Sequence, residues 1–141
     1  MPIKDNKSNT NVYSLQSFDE AGGATIVTTG FDTANIDNGV TFFITVTSSG
    51  DPANTISLDS VEQSPDNAVW SAVPTENLIG DITNLQNVTL ADVTASVIGS
   101  LGVFGVERYI RFNLITNTAN TGNMAGNLNL NLGIEIKPGE K

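Results

Sequence analysis

The chain has 141 residues, the size of one domain, with no cysteine, no histidine and only 15% charged residues. Disulfides, thiolate nucleophiles, cysteine zinc sites and the commonest general base are therefore excluded. A net charge of -9 repels phosphate backbones, so no nucleic-acid partner is expected.

The charge is unevenly placed. Lys4 and Lys7 stand near one end of the sequence, Lys137 and Lys141 near the other. Between Val12 and Ile136 the only cations are Arg108 and Arg111, set against thirteen acids, which leaves that stretch at -11. No apolar run approaches the ~20 residues of a membrane span, and Met1 to Asp5 lacks the apolar stretch of a signal peptide. The expectation is a soluble protein made in a cytoplasm, with nothing that asks for secretion and no membrane partner.

Residues 1–11 are polar and aperiodic and read as a flexible arm. From Val12 onward, short period-2 runs alternate with turn residues. Val12 to Phe18 reads as a first strand, closed by Asp19 to Gly23, and Ala24 to Gly30 as a second. Asn35 to Gly39 forms a turn before Val40 to Thr47, where aromatic and β-branched residues make the strongest strand pattern. Ser48 to Pro52 closes it, and Thr55 to Glu62 starts another, with Ile56 and Leu58 on one face. A second turn cluster, Gln63 to Asn67, precedes Ala68, Val69 and Trp70. Pro74 to Gly80 reads as a loop in which Glu76 to Ile79 can form one helical turn.

Val88 to Ala91 and Ala95 to Ile98 read as short strands, and Val106 to Thr116 as a long one. Asn117 to Gly126 is a polar loop. The final strand, Asn127 to Ile136, sets Leu128, Leu130, Leu132, Ile134 and Ile136 on one face and Asn129, Asn131 and Glu135 on the other. Helical spacing nowhere persists beyond two turns, and there is no internal repeat. These features predict one all-β domain over 12–137, a sandwich or barrel, with a short tail at 138–141.

Few residue types remain for chemistry, and an enzyme is not expected. The carboxylate pairs Asp59/Glu62 and Asp32/Asp37 are close in sequence, as a glycoside hydrolase would need. Their turn and strand-end settings read as solvated surface instead. Asp32 to Gly39 resembles an acidic calcium loop but lacks its alternating ligands and closing glutamate, and Asn38-Gly39 is itself a hairpin signal. No metal or cofactor is therefore assigned. Asn6-Lys7-Ser8 and Asn87-Val88-Thr89 match the glycosylation pattern, which carries no weight without secretion.

Trp70 and Tyr109 are the aromatics with a polar handle that a glycan platform would use, although both fit the edge of a core. In Val106 to Leu114, alternation places Arg108 on the apolar face with Ile110, Phe112 and Leu114, and Arg111 on the other with Tyr109. A buried Arg108 requires a carboxylate or several carbonyls. The alternatives are a strand-end arginine reaching solvent, or an ion pair within or between subunits.

Trp70-Ser71-Ala72-Val73-Pro74-Thr75-Glu76-Asn77-Leu78-Ile79-Gly80, then Ile98-Gly99 and Glu107-Arg108-Tyr109-Ile110-Arg111-Phe112, resemble the capsid decoration, or cement, proteins of tailed bacteriophages. In that family an aromatic and a Leu-Ile/Leu-Gly element precede a strand with an Arg-Tyr-x-Arg core; a polar loop and an apolar last strand follow. Leu101 stands where the family usually has a tyrosine, and Glu107 replaces a common basic residue. The resemblance spans Asp37 to Ile134. It implies a jelly-roll-like antiparallel β-sandwich that assembles as homotrimers on the outer capsid surface, over junctions between major capsid protein subunits. The polar arm with Lys4 and Lys7 would then reach neighbouring subunits. A tail- or fibre-associated virion domain and a carbohydrate- or receptor-binding module are the alternatives.

Overall fold

A computed structural model of the chain describes residues 12–34, 36, 39–80, 82–93, 101–104 and 106–132. Among the described residues, ten strands form two antiparallel sheets. They are β1 (Val12–Glu20), β2 (Thr25–Val27), β3 (Phe31–Asp32), β4 (Val40–Ser49), β5 (Ile56–Ser64), β6 (Ser71–Ala72), β7 (Leu78–Ile79), β8 (Leu101–Val103), β9 (Tyr109–Thr116) and β10 (Met124–Asn131). One sheet has the order β1-β10-β4-β8-β7, the other β2-β9-β5-β6, with β3 also paired to β9. The pairs nest: β1 with β10, β2 with β9, β4 with β8, β5 with β6. The fold is an all-β sandwich.

Alternation explains the core. Val40, Phe42, Ile44 and Val46 of β4 point inward, as do Ile110, Phe112 and Leu114 of β9 and Leu128 and Leu130 of β10. Phe42 from one sheet stacks on Phe112 from the other, ring centroids 4.1 Å apart and planes inclined by 14°. Burying one such side chain contributes about 1.5–3 kcal/mol, so this contact helps hold the two sheets face to face.

The polar residues bind the loops together. Asn54 donates to the Thr121 carbonyl at 2.8 Å and accepts from the Thr121 amide at 3.0 Å; Asn120 does the same for the Thr55 carbonyl and amide, each at 3.0 Å. Two side-chain amides thus reproduce β-ladder bonds between loops that are not strands. Buried Thr116 accepts from the Ala24 amide at 2.8 Å and donates to the Ala21 carbonyl at 2.7 Å. The Asn- and Thr-rich composition is therefore structural glue as well as surface.

Several expectations are corrected. Val88 to Ala91 is not a strand: Val88 makes one isolated bridge to Ile56, and Leu90–Val93 forms a single α-helical turn. Asn87, at φ 58°, turns the chain out of extended geometry just before it. The expected helical turn at Glu76 to Ile79 is a 3-10 turn, Thr75–Asn77, followed by β7. The second strand, β2, ends at Val27, short of the expected Gly30, with a further short strand, β3, after it, and β1 runs on to Glu20, into the expected turn. The last strand starts earlier, at Met124, because Gly126 sits at a register shift where a Cβ would run into the Thr45 carbonyl oxygen. Asn129 lies opposite the leucine face yet is buried, donating to Thr45 Oγ1 at 2.9 Å. Ala95 to Ile98 and the strand's far end at Ile134 and Ile136 lie outside the described residues.

Candidate functional site

Strand β9 lies between β2 and β5, with Tyr109, Arg111, Asn113 and Ile115 on its outer face. Arg111 stands directly opposite Glu62 of β5 in the register, and its Nε donates to Glu62 Oε1 at 2.7 Å. Glu62 Oε1 also accepts from Asn113 Nδ2 at 3.0 Å, and the same nitrogen donates to Ser60 Oγ at 2.9 Å. The Asn113 amide first, and the Arg111 guanidinium second, hold the Glu62 carboxyl below its ordinary value. Both side chains of the ion pair are about one quarter exposed.

Trp70 closes this cluster, with the Arg111 guanidinium 4.3 Å from the centre of its ring. The loop between β5 and β6 delivers the indole, and Asp66 shapes that loop. Its Oδ1 accepts from the Val69 amide at 3.0 Å and the Ala68 amide at 2.9 Å, and from Ser64 Oγ at 3.0 Å. Those bonds hold the Asp66 carboxyl below its ordinary value. The loop then lies so close to Gly30 that a Cβ there would overlap Asn67 Oδ1 and come within 3.0 Å of the Trp70 ring. The glycine permits this approach by its size rather than by φ, since a Cβ there would push the Asn67 amide and the tip of the Trp70 ring aside.

Arg108 is not on the buried face. The chain bends at Arg108 and β9 begins only at Tyr109, so the alternation that governs Ile110 and Phe112 does not reach back to it. Its guanidinium grips Asp32 of β3 through two bonds, Nε to Oδ1 at 3.0 Å and Nη2 to Oδ2 at 2.8 Å. That pair is about half exposed. Asp32 is held below its ordinary value chiefly by Arg108 and then by the Ala34 amide. The guanidinium also lies 5.2 Å from the Tyr109 ring centre.

Trp70, Arg108, Tyr109 and Arg111 are thus brought to one strand end and one sheet face, and each arginine meets an acid. The sequence marks Glu62 only as a member of a carboxylate pair, and Asp32 as a member of another and as the start of the acidic stretch. The structure separates Glu62 from Asp59: Glu62 faces Arg111, whereas Asp59 lines a cleft with Ala72 and Leu78. Asn113 and Ser60 were missed, and no local signal marks them, because their role depends on the β5–β9 register. Asp37, Lys4 and Lys7 lie outside the described residues. Asp32, the first residue of the acidic stretch considered for calcium, is engaged by Arg108.

The face also carries exposed apolar side chains, Val27 of β2 and Ile115 of β9, beside the polar cluster. One face of the Trp70 ring meets Arg111. Among the described residues no group of three or more acidic side chains is disposed to hold a metal, and no helix is long and apolar enough to cross a membrane. In the comparisons with known proteins, no family model, no curated protein and no solved structure matches the chain.

Proposed function

We propose that this chain is a non-enzymatic structural component of a virion, a decoration protein that binds the outer surface of a tailed-phage head and reinforces contacts between major capsid protein subunits. The reading is carried by the position of the strand that bears the resemblance. Glu107 to Phe112 leads into the central strand of a sheet, and both of its arginines are spent on ion pairs within the chain. Their role is to fix a surface rather than to act on a substrate.

The nested order of strand pairing supports a jelly-roll form, which is what a long hairpin gives when rolled into a sandwich. Jelly rolls serve lectins as well as capsids, so the fold alone does not choose between them. The covered ring of Trp70 weighs against a glycan platform there. The mechanism is mechanical: many copies adding interface area across capsomer boundaries, with homotrimers as the implied unit.

Quantitative mass spectrometry of purified particles, with copies of this chain counted against the major capsid protein, tests the proposal. A ratio near one, or a simple fraction of it, is expected. A ratio of a few per cent would move the protein to the tail or a vertex, and absence would discard the virion reading.

A further inference from the structure

A cleft of about 300 Å³ is lined by residues of β5 and β6 of one sheet and β7 of the other. Its lining includes Val61, Val73, Leu78 and Ile82, which belong to or pack against the core, together with Ser60 and Asp59. Asp59 sits at an irregularity in β5. Leu58 pairs with Leu114 and Ser60 with Asn113, so Asp59 is the extra residue between them and has no partner on β9. Bulges re-aim side chains in this way. Unlike Asp32, Glu62 and Asp66, the Asp59 carboxylate makes no ion pair or hydrogen bond among the described residues.

We propose that this cleft binds an extended segment of a partner protein through one basic side chain whose charged head pairs with Asp59. Four observations converge on that occupant. The cleft is at the small end of ligand sites, which run about 300–1,000 Å³, and so suits one or two side chains rather than a drug-sized ligand. Among the described residues its largely apolar lining carries one carboxylate, that of Asp59, which matches a lysine or arginine with its apolar stem and charged tip. The stretch from Val12 to Ile136 is acidic, and Arg108 and Arg111, its only cations, are already paired. Finally, β6 and β7 are terminal strands of their sheets and bracket the cleft, so a peptide lying in it meets strand edges as well as a pocket. The inference stands whether or not the chain belongs to a capsid.

The test is amide NMR on the full chain, titrated with the acetylated and amidated pentapeptide Ala-Val-Lys-Val-Ala and with its norleucine counterpart. Shifts are expected to cluster at Asp59 to Val61, Ala72, Val73 and Leu78, with the norleucine peptide bound at least fivefold more weakly. Asp59→Asn should weaken the lysine peptide by a similar factor, with the rest of the spectrum superimposable on wild type. Glu107→Gln, the same charge change on another exposed acid, should leave binding unaltered. Equal binding of both peptides, equal loss in the two variants, or shifts away from the cleft would overturn the proposal. A full chain with Lys4, Lys7, Lys137 and Lys141 changed to glutamine decides the source of the basic residue. If its cleft resonances move without peptide, the chain's own lysines fill the cleft and the partner proposal falls.

Discussion

Arg111 and Glu62 face each other across the β5–β9 ladder, forty-nine residues apart in sequence, with their charged groups 2.7 Å apart and Trp70 over the guanidinium. The pair is partly shielded from water, which strengthens the attraction relative to a pair in open solvent. Arg108 and Asp32 form a geometrically better, bidentate pair, but in solvent.

This contrast predicts different costs. Arg111→Ala leaves Glu62 with Asn113 alone and uncovers Trp70, and should destabilise the fold by about 1–2 kcal/mol. Trp70 is the only tryptophan, so its emission should shift to the red in the folded variant. Arg108→Ala should leave the denaturation midpoint unchanged, because exposed pairs are screened. Urea unfolding followed by fluorescence compares the two.

Acid sensitivity follows from the carboxyls. Glu62 and Asp66 are held below their ordinary values of 4.5 and 3.8. An acid depressed in the folded state adds stability above its unfolded value and loses it as pH falls through the folded one. Stability should therefore be level above about pH 4.5 and decline below it. Glu62→Gln should lower the plateau by about 1 kcal/mol and make the acid decline shallower. Thermal melts from pH 7 to pH 2.5 (on the order of the range spanned by these carboxyl values) measure both effects.

Gly30 and Asn67 should behave as a coupled pair. Gly30→Ala brings a methyl against Asn67 Oδ1 and should cost about 1–3 kcal/mol. Asn67 has φ 63°, which glycine adopts freely, so Asn67→Gly should be nearly neutral. The double variant should recover most of the loss, and simple additivity in a double-mutant cycle would refute the contact.

The stacked pair between the sheets should dominate stability. Phe112→Ala removes the ring against Phe42 and should cost about 3–5 kcal/mol, whereas Ile115→Ala on the outer face of the same strand should stay within about 0.5 kcal/mol. Equal effects in denaturant titrations would mean that the inward and outward faces of β9 are misassigned.

The sequence by itself determined the all-β class and the faces of β4, β9 and the described part of β10, because inward and outward alternation is a local property of extended chain. It also removed cysteine and histidine chemistry, which no fold can restore. Alternation does not say where a strand begins, which is why it groups Arg108 with the core although the chain bends at that residue, one position before β9 starts. Nor does composition say which amides are surface: Asn54, Asn120 and Asn129 differ from other asparagines only in what lies across from them. The partners of Arg108 and Arg111 lie seventy-six and forty-nine residues away, and the bulge at Asp59, which lines the cleft, is a mismatch between two strands. Such features exist only once register is set, and register is chosen by packing the two sheets together.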